Sequence, residues 1–232
     1  GFGVTYKDYG IAYDMLGNSE KTLEYYNKAL DNFKLAYGEE HNTVAGLYTS
    51  IGKTLSDQGR YLEAQDLIIK ALKIREKILP PGHPDFISTY NNLAVTYQMT
   101  DKSHEAMEYY QKALELILAV YGENHHTAMT SFINIGILFC DIENYDEGFK
   151  YLSRALELAK NLFPEGNPNV AIVHRSFSEC YFKQKKYNEA LEHGEKADQI
   201  FQQFFPSNHP QRVYLQQFLG KIKLEQHLNK HN

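Results

Sequence analysis

Apolar and small residues return along this chain at a fixed interval of forty-two. The dipeptides Ala29-Leu30, Ala71-Leu72, Ala113-Leu114 and Ala155-Leu156 keep that spacing, and Ala197 continues the series with Asp198 in place of leucine. The same register holds Tyr13, Leu55, Tyr97, Phe139 and Tyr181, and the small residues Gly10, Gly52, Ala94, Gly136 and Ser178. Between the apolar segments lie His41, His83, His125 and His209, with Asn167 at the fourth place. Within a period the apolar residues step by three and four, as in Leu62, Leu67, Ile68, Ala71, Leu72 and Ile78, or Ala106, Tyr110, Ala113, Leu114 and Ile117. That stepping predicts helices rather than strands. A helical period of this length predicts an all-α solenoid, because no single unit buries its apolar face alone.

Each unit reads as two helices. In the second unit Thr43 to Asp57 is the first, Gln58-Gly59-Arg60 the turn, and Tyr61 to Ile78 the second, with Gly59 suited to the left-handed position. The loop LPPGHP then resets the pattern. Pro84, Pro168 and Pro210 suit a first helical position, where a missing N–H costs nothing, and Asp85 and Asn169 suit the first turn or the cap. Thr43 and Thr127 hold the equivalent place in two other units. The alanine before each leucine lets a neighbouring helix come close. The chain thus predicts one continuous array over 1–232, with repeats at 2–41, 43–83, 85–125, 127–167 and 169–209. A last helix at 211–228, centred on Arg212 to Leu228, would cap the array and leave Lys221, Lys223 and Glu225 in water.

Tyr48, Ile51, Gly52, Leu55, Ala64, Ile68 and Ala71 match in spacing the tetratricopeptide pattern W-x2-L-G-x2-Y…A-x3-F, and Tyr90, Leu93, Ala94, Tyr97, Ala106, Tyr110 and Ala113 repeat it. The longer period, the extended second helix and the G-x-x-H-P loop resemble the repeats of kinesin light chains and related proteins such as nephrocystin-3. The stretch HPDFISTYNNLAVTY is especially similar to them. The closing proline of the shorter repeat is absent, with Glu76 and Leu118 in its place. The resemblance implies a right-handed α-solenoid of helix-turn-helix units, whose first helices line a concave peptide-binding groove. It nominates Lys7, Ile11, Thr49, Lys53, Asn91, Val95, Gln98, Ile133, Ile137, Arg175 and Glu179. In kinesin light chains an asparagine at the place of Asn91 is suited to holding the backbone of an extended peptide. Only the third unit keeps it; Lys7, Thr49, Ile133 and Arg175 are the equivalents. A carboxylate clamp is disfavoured, since Ile11, Ser50, Ser88 and Asn92 stand where its asparagines and basic residues belong.

Composition narrows the function. Hydrophobic content of 43% with 23% charged residues argues against disorder. No run reaches the eighteen apolar residues of a membrane span. The start, GFGVTYKDYG, lacks the basic and apolar regions of a signal peptide, and a helix expected almost from residue 1 suggests a piece of a longer chain. Two cysteines, Cys140 and Cys180, fall within predicted helices and read as buried reduced thiols in a cytoplasmic protein. Net charge is −5, and forty-two-residue blocks counted from residue 1 range only from −4 to +2. The lysines at 183, 185 and 186 fall at a turn. Nucleic acid, which needs clustered cations, is therefore a poor candidate partner.

Candidate chemistry is sparse. Zinc needs its ligands about 2 Å from one centre, whereas stacked helices lie about 8–10 Å apart, so histidines in successive loops cannot share a metal. They are expected to cap and pack loops instead, and His227 with His231 reads as a frayed end. The catalytic motifs G-x-S-x-G, P-loop and H-E-x-x-H are missing. Glu39-Glu40 and Asp146-Glu147 are explained by solvation and helix dipoles. The eighteen tyrosines mostly occupy repeat positions and read as core. Sequence therefore predicts a cytoplasmic adaptor without cofactor or metal, not an enzyme. It binds an extended, partly apolar protein segment with acidic residues near its ends. The alternative is a regulatory or self-associating arm of a larger enzyme or ATPase, in which Phe2, Val4 and Ile11 form an exposed apolar patch and the chain forms homo-oligomers.

Overall fold

The computed structural model describes residues 1–164 and 166–230, with the backbone alone at Lys230. Its regular elements are all α-helices, in the order α1 Phe2–Met15, α2 Ser19–Tyr37, α3 Asn42–Asp57, α4 Tyr61–Ile78, α5 Phe86–Gln98 and α6 Ser103–Tyr121. There follow α7 His126–Asp141, α8 Tyr145–Leu162, α9 Pro168–Lys183, α10 Tyr187–Phe204 and α11 Pro210–Lys230. The chain forms two compact units, Gly1–Leu116 and Ile117–Asn232, whose boundary falls inside α6. His231 lies outside the described residues.

In the first unit α1 packs on α2 and α3 on α4, while α2 meets α3 and α4 meets α5. Tyr26, Phe33, Leu47, Ile68 and Leu93 belong to its buried core. In the second unit α7 pairs with α8 and α9 with α10, and α11 lies on α10. Leu215, Leu219 and Ile222 of α11 close over Ala197 and Phe201. Lys221 and Lys223 face water as expected, whereas Glu225 is half-buried.

The periodic small residues mark where two helices of a pair cross. A Cβ on Gly52 would stand 2.6 Å from Ile68. In the next unit Gly136 faces Gly148, whose carbonyl oxygen would be 3.0 Å from an added Cβ. At the fifth crossing the small partner has changed sides. Ser178 donates to the Ala190 carbonyl at 2.6 Å, and Gly194 leaves room for Leu219.

Three of the loop histidines cap helices, and His83 accepts from Asp85, the N-cap residue of α5. Nδ1 of His41, His125 and His209 accepts from the N–H of Thr43, Thr127 and Gln211 at 3.2, 3.3 and 3.3 Å. His83 does the same for Asp85 at 3.2 Å, and Asn167 Oδ1 for Asn169 at 2.9 Å. Each cap satisfies one of the donors that a helix start leaves without an intrahelical acceptor. Pro168 and Pro210 open their helices as expected. Pro84 does not: α5 begins at Phe86, after a turn in which the Phe86 N–H donates to the His83 carbonyl at 3.1 Å. Both cysteines are buried and free.

Candidate functional site

In the first unit the first helices of the repeats border a cleft of about 480 Å³. Lys7 comes from α1, Gly46, Ser50 and Lys53 from α3, and Ser88 and Asn92 from α5. Its floor is Arg75 of α4. That side chain is only 5% exposed, yet its hydrogen-bond partners are neutral. Nε donates to Asn42 Oδ1 at 3.3 Å; Nη1 donates to the Asp85 carbonyl at 2.8 Å, to Thr49 Oγ1 at 3.4 Å and to the Thr89 hydroxyl. Burial pushes its pKa below the ordinary arginine value, and the Asp85 carboxylate opposes that shift. That carboxylate accepts from Asn42 Nδ2 at 2.5 Å. Lys53 at the rim pairs with Asp57 at 2.9 Å and with Asp14 at 3.7 Å. The cleft is therefore a polar depression with a buried guanidinium beneath it, the Asp85 carboxylate in its wall and ammonium groups at its edge.

The nominated residues of this unit divide. Lys7, Thr49 and Lys53 line the cleft, though Thr49 is buried and donates its own hydroxyl hydrogen to the Ala45 carbonyl. Ile11 is exposed on α1. Asn91 and Val95 are half-buried, and Asn91 Oδ1 is enclosed with no hydrogen-bond partner among the described residues. It is Asn92, one residue on, that reaches the cleft. Gln98 Oε1 accepts from the Tyr110 hydroxyl at 2.9 Å.

In the second unit Ile133 is buried and Ile137 half-buried. Arg175 and Glu179 line a smaller cleft of about 250 Å³ with Pro210, Gln211 and Tyr214 of α11. Arg175 Nε stands 3.6 Å from Glu179 Oε1, its Nη1 donates to the Gln211 side chain, and its guanidinium lies 5.6 Å from the Tyr214 ring centre. The Tyr214 hydroxyl donates to Glu179 Oε1 at 3.0 Å, and burial with that carboxylate pushes its pKa up to about 12.

Arg75 escaped the sequence reading because it sits on a second helix, whereas the resemblance directs attention to first helices. One signal could have found it. The equivalent residues are Phe33, Ile117, Ala159 and Phe201, all buried and apolar, so Arg75 breaks the register.

The Tetratricopeptide repeat family model matches residues 3–77, 43–119, 85–145 and 127–203. The chain belongs to the tetratricopeptide repeat family. Among relatives of this tetratricopeptide chain, Protein KINESIN LIGHT CHAIN-RELATED 2 of Arabidopsis thaliana is 32% identical over 89 residues, which is 38% of this chain and 13% of that protein. Nephrocystin-3 of Xenopus laevis is 34% identical over 80 residues, 34% of this chain and 6% of its own length. The matches thus span a small part of either relative. Among solved structures, BtubC (BKLC) from P. vanneervenii has the same tetratricopeptide fold, with a TM-score of 0.68 and 21% identity over 86% of this chain and 80% of that one. Among the described residues no helix is long and apolar enough to cross a membrane.

Proposed function

We propose that the chain is a cytoplasmic protein-interaction module that holds an extended, partly apolar segment of a partner protein against its first-helix faces. An acidic group of that segment would enter the cleft of the first unit. The observation that carries this reading is Arg75, buried beneath the cleft with neutral hydrogen-bond partners. A carboxylate above it would be attracted in a partly desolvated setting, where Coulomb energy is larger than in open water. Ser50, Ser88 and Asn92 can hydrogen-bond the ligand's backbone from both sides.

The test is a library of extended peptides screened against the full chain, followed by Lys7→Ala and Asn92→Ala with the best binder. The expected result is weaker binding on the order of tenfold for either variant, in line with the loss of one charge-assisted or amide hydrogen bond. Unchanged affinity in both would remove the cleft from the binding surface.

One observation favours a second reading, the self-associating or regulatory arm. Phe2 and Met15 of α1 are 77% and 84% exposed, and Tyr9 and Ile11 are exposed beside them. Phe2 and Tyr9 correspond in register to Val44 and Ile51, which α3 buries. Light scattering over a concentration series separates the readings: the first expects 26.8 kDa throughout, the second a rising mass.

A further inference from the structure

The fifth helix pair departs from the others at one place. His174 and His193 correspond in register to Tyr6 and Tyr25, Tyr90 and Tyr109, and Phe132 and Tyr151. Those rings pack with centroids 6.3, 5.9 and 6.2 Å apart. The second repeat has Tyr48 and Leu67 at these positions. Packing between the two helices of a repeat therefore needs only apolar bulk here. In α9 and α10 both residues are imidazoles instead. Their centroids approach to 5.1 Å, and they turn so that Nδ1 faces Nδ1 at 3.1 Å.

We propose that His174 and His193 form a site for a divalent late transition-metal ion, Cu2+ or Zn2+, held between the two Nδ1 atoms. Two nitrogens 3.1 Å apart, each about 2.0–2.1 Å from a metal, subtend about 100° at it. That lies between the right angle of tetragonal copper and the tetrahedral angle of zinc. In the pair without metal one Nδ1 carries the hydrogen that the other accepts. On binding, that hydrogen moves to Nε2 of the same ring. Both imidazoles then stay neutral and each gives one lone pair, with no net release of a proton.

The surroundings fit a site that is held but not sealed. The Phe177 and Tyr181 rings lie 4.7 and 5.4 Å from the His193 ring and fix its orientation. Both histidines are half-buried, so water can complete the coordination shell. The described residues contain no cluster of three His, Cys, Asp or Glu side chains able to hold a metal, so two imidazoles carry the affinity. Glu192 is the near carboxylate, paired to Lys196 at 2.7 Å. Lys196 and Lys160 repel a cation. Such a site selects metals that prefer imidazole and rejects Ca2+ and Mg2+, which require oxygen ligands.

The experiment is calorimetric titration of the chelator-stripped full chain with Cu2+, with electron paramagnetic resonance of the loaded protein. The chain has ten histidines, so weak background binding is subtracted with the variants His174→Asn and His193→Asn. One strong equivalent is expected, with coupling to two imidazole nitrogens. Either variant should weaken it by tenfold or more, since losing a ligand exceeds the roughly 10–100-fold cost of losing a ligand's supporting hydrogen bond. Lys196→Gln is exposed and leaves both rings intact; it should strengthen binding several-fold by removing repulsion and freeing Glu192. Equal binding by wild type and both histidine variants overturns the site. If those variants fail to fold, a Lys196→Gln protein that binds no more tightly than wild type overturns it instead.

Discussion

Arg75 Nη1 donates to the backbone carbonyl of Asp85 at 2.8 Å, joining the last turn of α4 to the cap of α5. The same guanidinium reaches Asn42 and Thr49 at α3 and Thr89 at α5. One side chain thus links three helices through five-donor planar geometry that an ammonium cannot reproduce. Arg75→Ala leaves these buried groups without partners and should destabilise the chain by about 2–4 kcal/mol. Arg75→Lys should recover little of that loss. Urea denaturation measures both, and a loss under about 0.5 kcal/mol for Arg75→Ala, the scale of a neutral surface change, would show that the linkage is not structural.

Helix crossings give the second prediction. A Cβ on Gly148 would stand 2.5 Å from Cys140 Sγ and 2.9 Å from the Gly136 carbonyl oxygen. The oxygen belongs to helical backbone and cannot swing aside. Gly148→Ala should therefore cost about 1–3 kcal/mol despite its gain in helix propensity. Ala113→Leu, at a fully buried alanine of α6, should fall in the same range of about 1–3 kcal/mol. Thermal melts of the two variants that match wild type would contradict the close packing.

Much of this fold could be read from the spacing alone. Tyr61–Ile78 is a helix with the bounds the apolar steps set, and Gly59 occupies the left-handed turn with φ of 77°. Histidines and Asn167 cap because each offers an acceptor two residues before an unpaired N–H. The site was less legible. One residue along a helix is about 100° around its axis, so a pattern that selects Asn91 and a cleft that meets Asn92 differ by a single step of phase. Periodicity fixes which face is buried more firmly than which polar neighbour stands at the edge. Thr49 shows the same limit: it faces inward under Arg75, a residue whose position no first-helix pattern reports.

The turns between paired helices differ in a way that substitution can measure. Gly17 and Gly59 hold φ of 70° and 77°, while Asp101, Glu143 and Lys185 hold 58°, 62° and 62° at the equivalent points. A side chain in the left-handed region costs about 1–2 kcal/mol that glycine avoids. Part of this is offset by glycine's greater freedom when unfolded. Glu143→Gly and Lys185→Gly should each raise stability by about 0.5–1 kcal/mol. A lower melting temperature for both would mean that the side chains make compensating contacts.

The caps predict which replacements the loops accept. His125 Nδ1 accepts from Thr127 N–H at 3.3 Å, and its ring stacks on Tyr121 with centroids 4.6 Å apart. His125→Ala removes both and should cost about 1 kcal/mol, the usual size of a lost cap. His125→Asn keeps an acceptor, as Asn167 does in the following loop, and should recover about half of that cost. Equal losses from the two variants would assign the cost to ring stacking.

The His174 and His193 pair makes stability depend on pH even without metal. Burial, then the neighbouring His193, with Lys196 and Lys160 nearby, lowers the His174 pKa from its ordinary 6.5 to about 4; Glu192 opposes the shift. Burial and Lys196 lower that of His193 as well. The unfolded chain therefore takes up protons near pH 6.5 that the folded pair refuses. The stability held by the neutral pair is complete above pH 6.5 and is lost as pH falls towards 4. Because both rings are half exposed, solvent screening reduces the effect to about 1–2 kcal/mol. His174→Phe with His193→Tyr rebuilds the Phe132 and Tyr151 pair of α7 and α8 and should remove this part of the slope. Urea midpoints measured in chelator from pH 7.5 to 4 test it by difference, since the carboxylates common to both proteins cancel. Parallel curves would mean that the two imidazoles are protonated as readily in the folded chain as in the unfolded one.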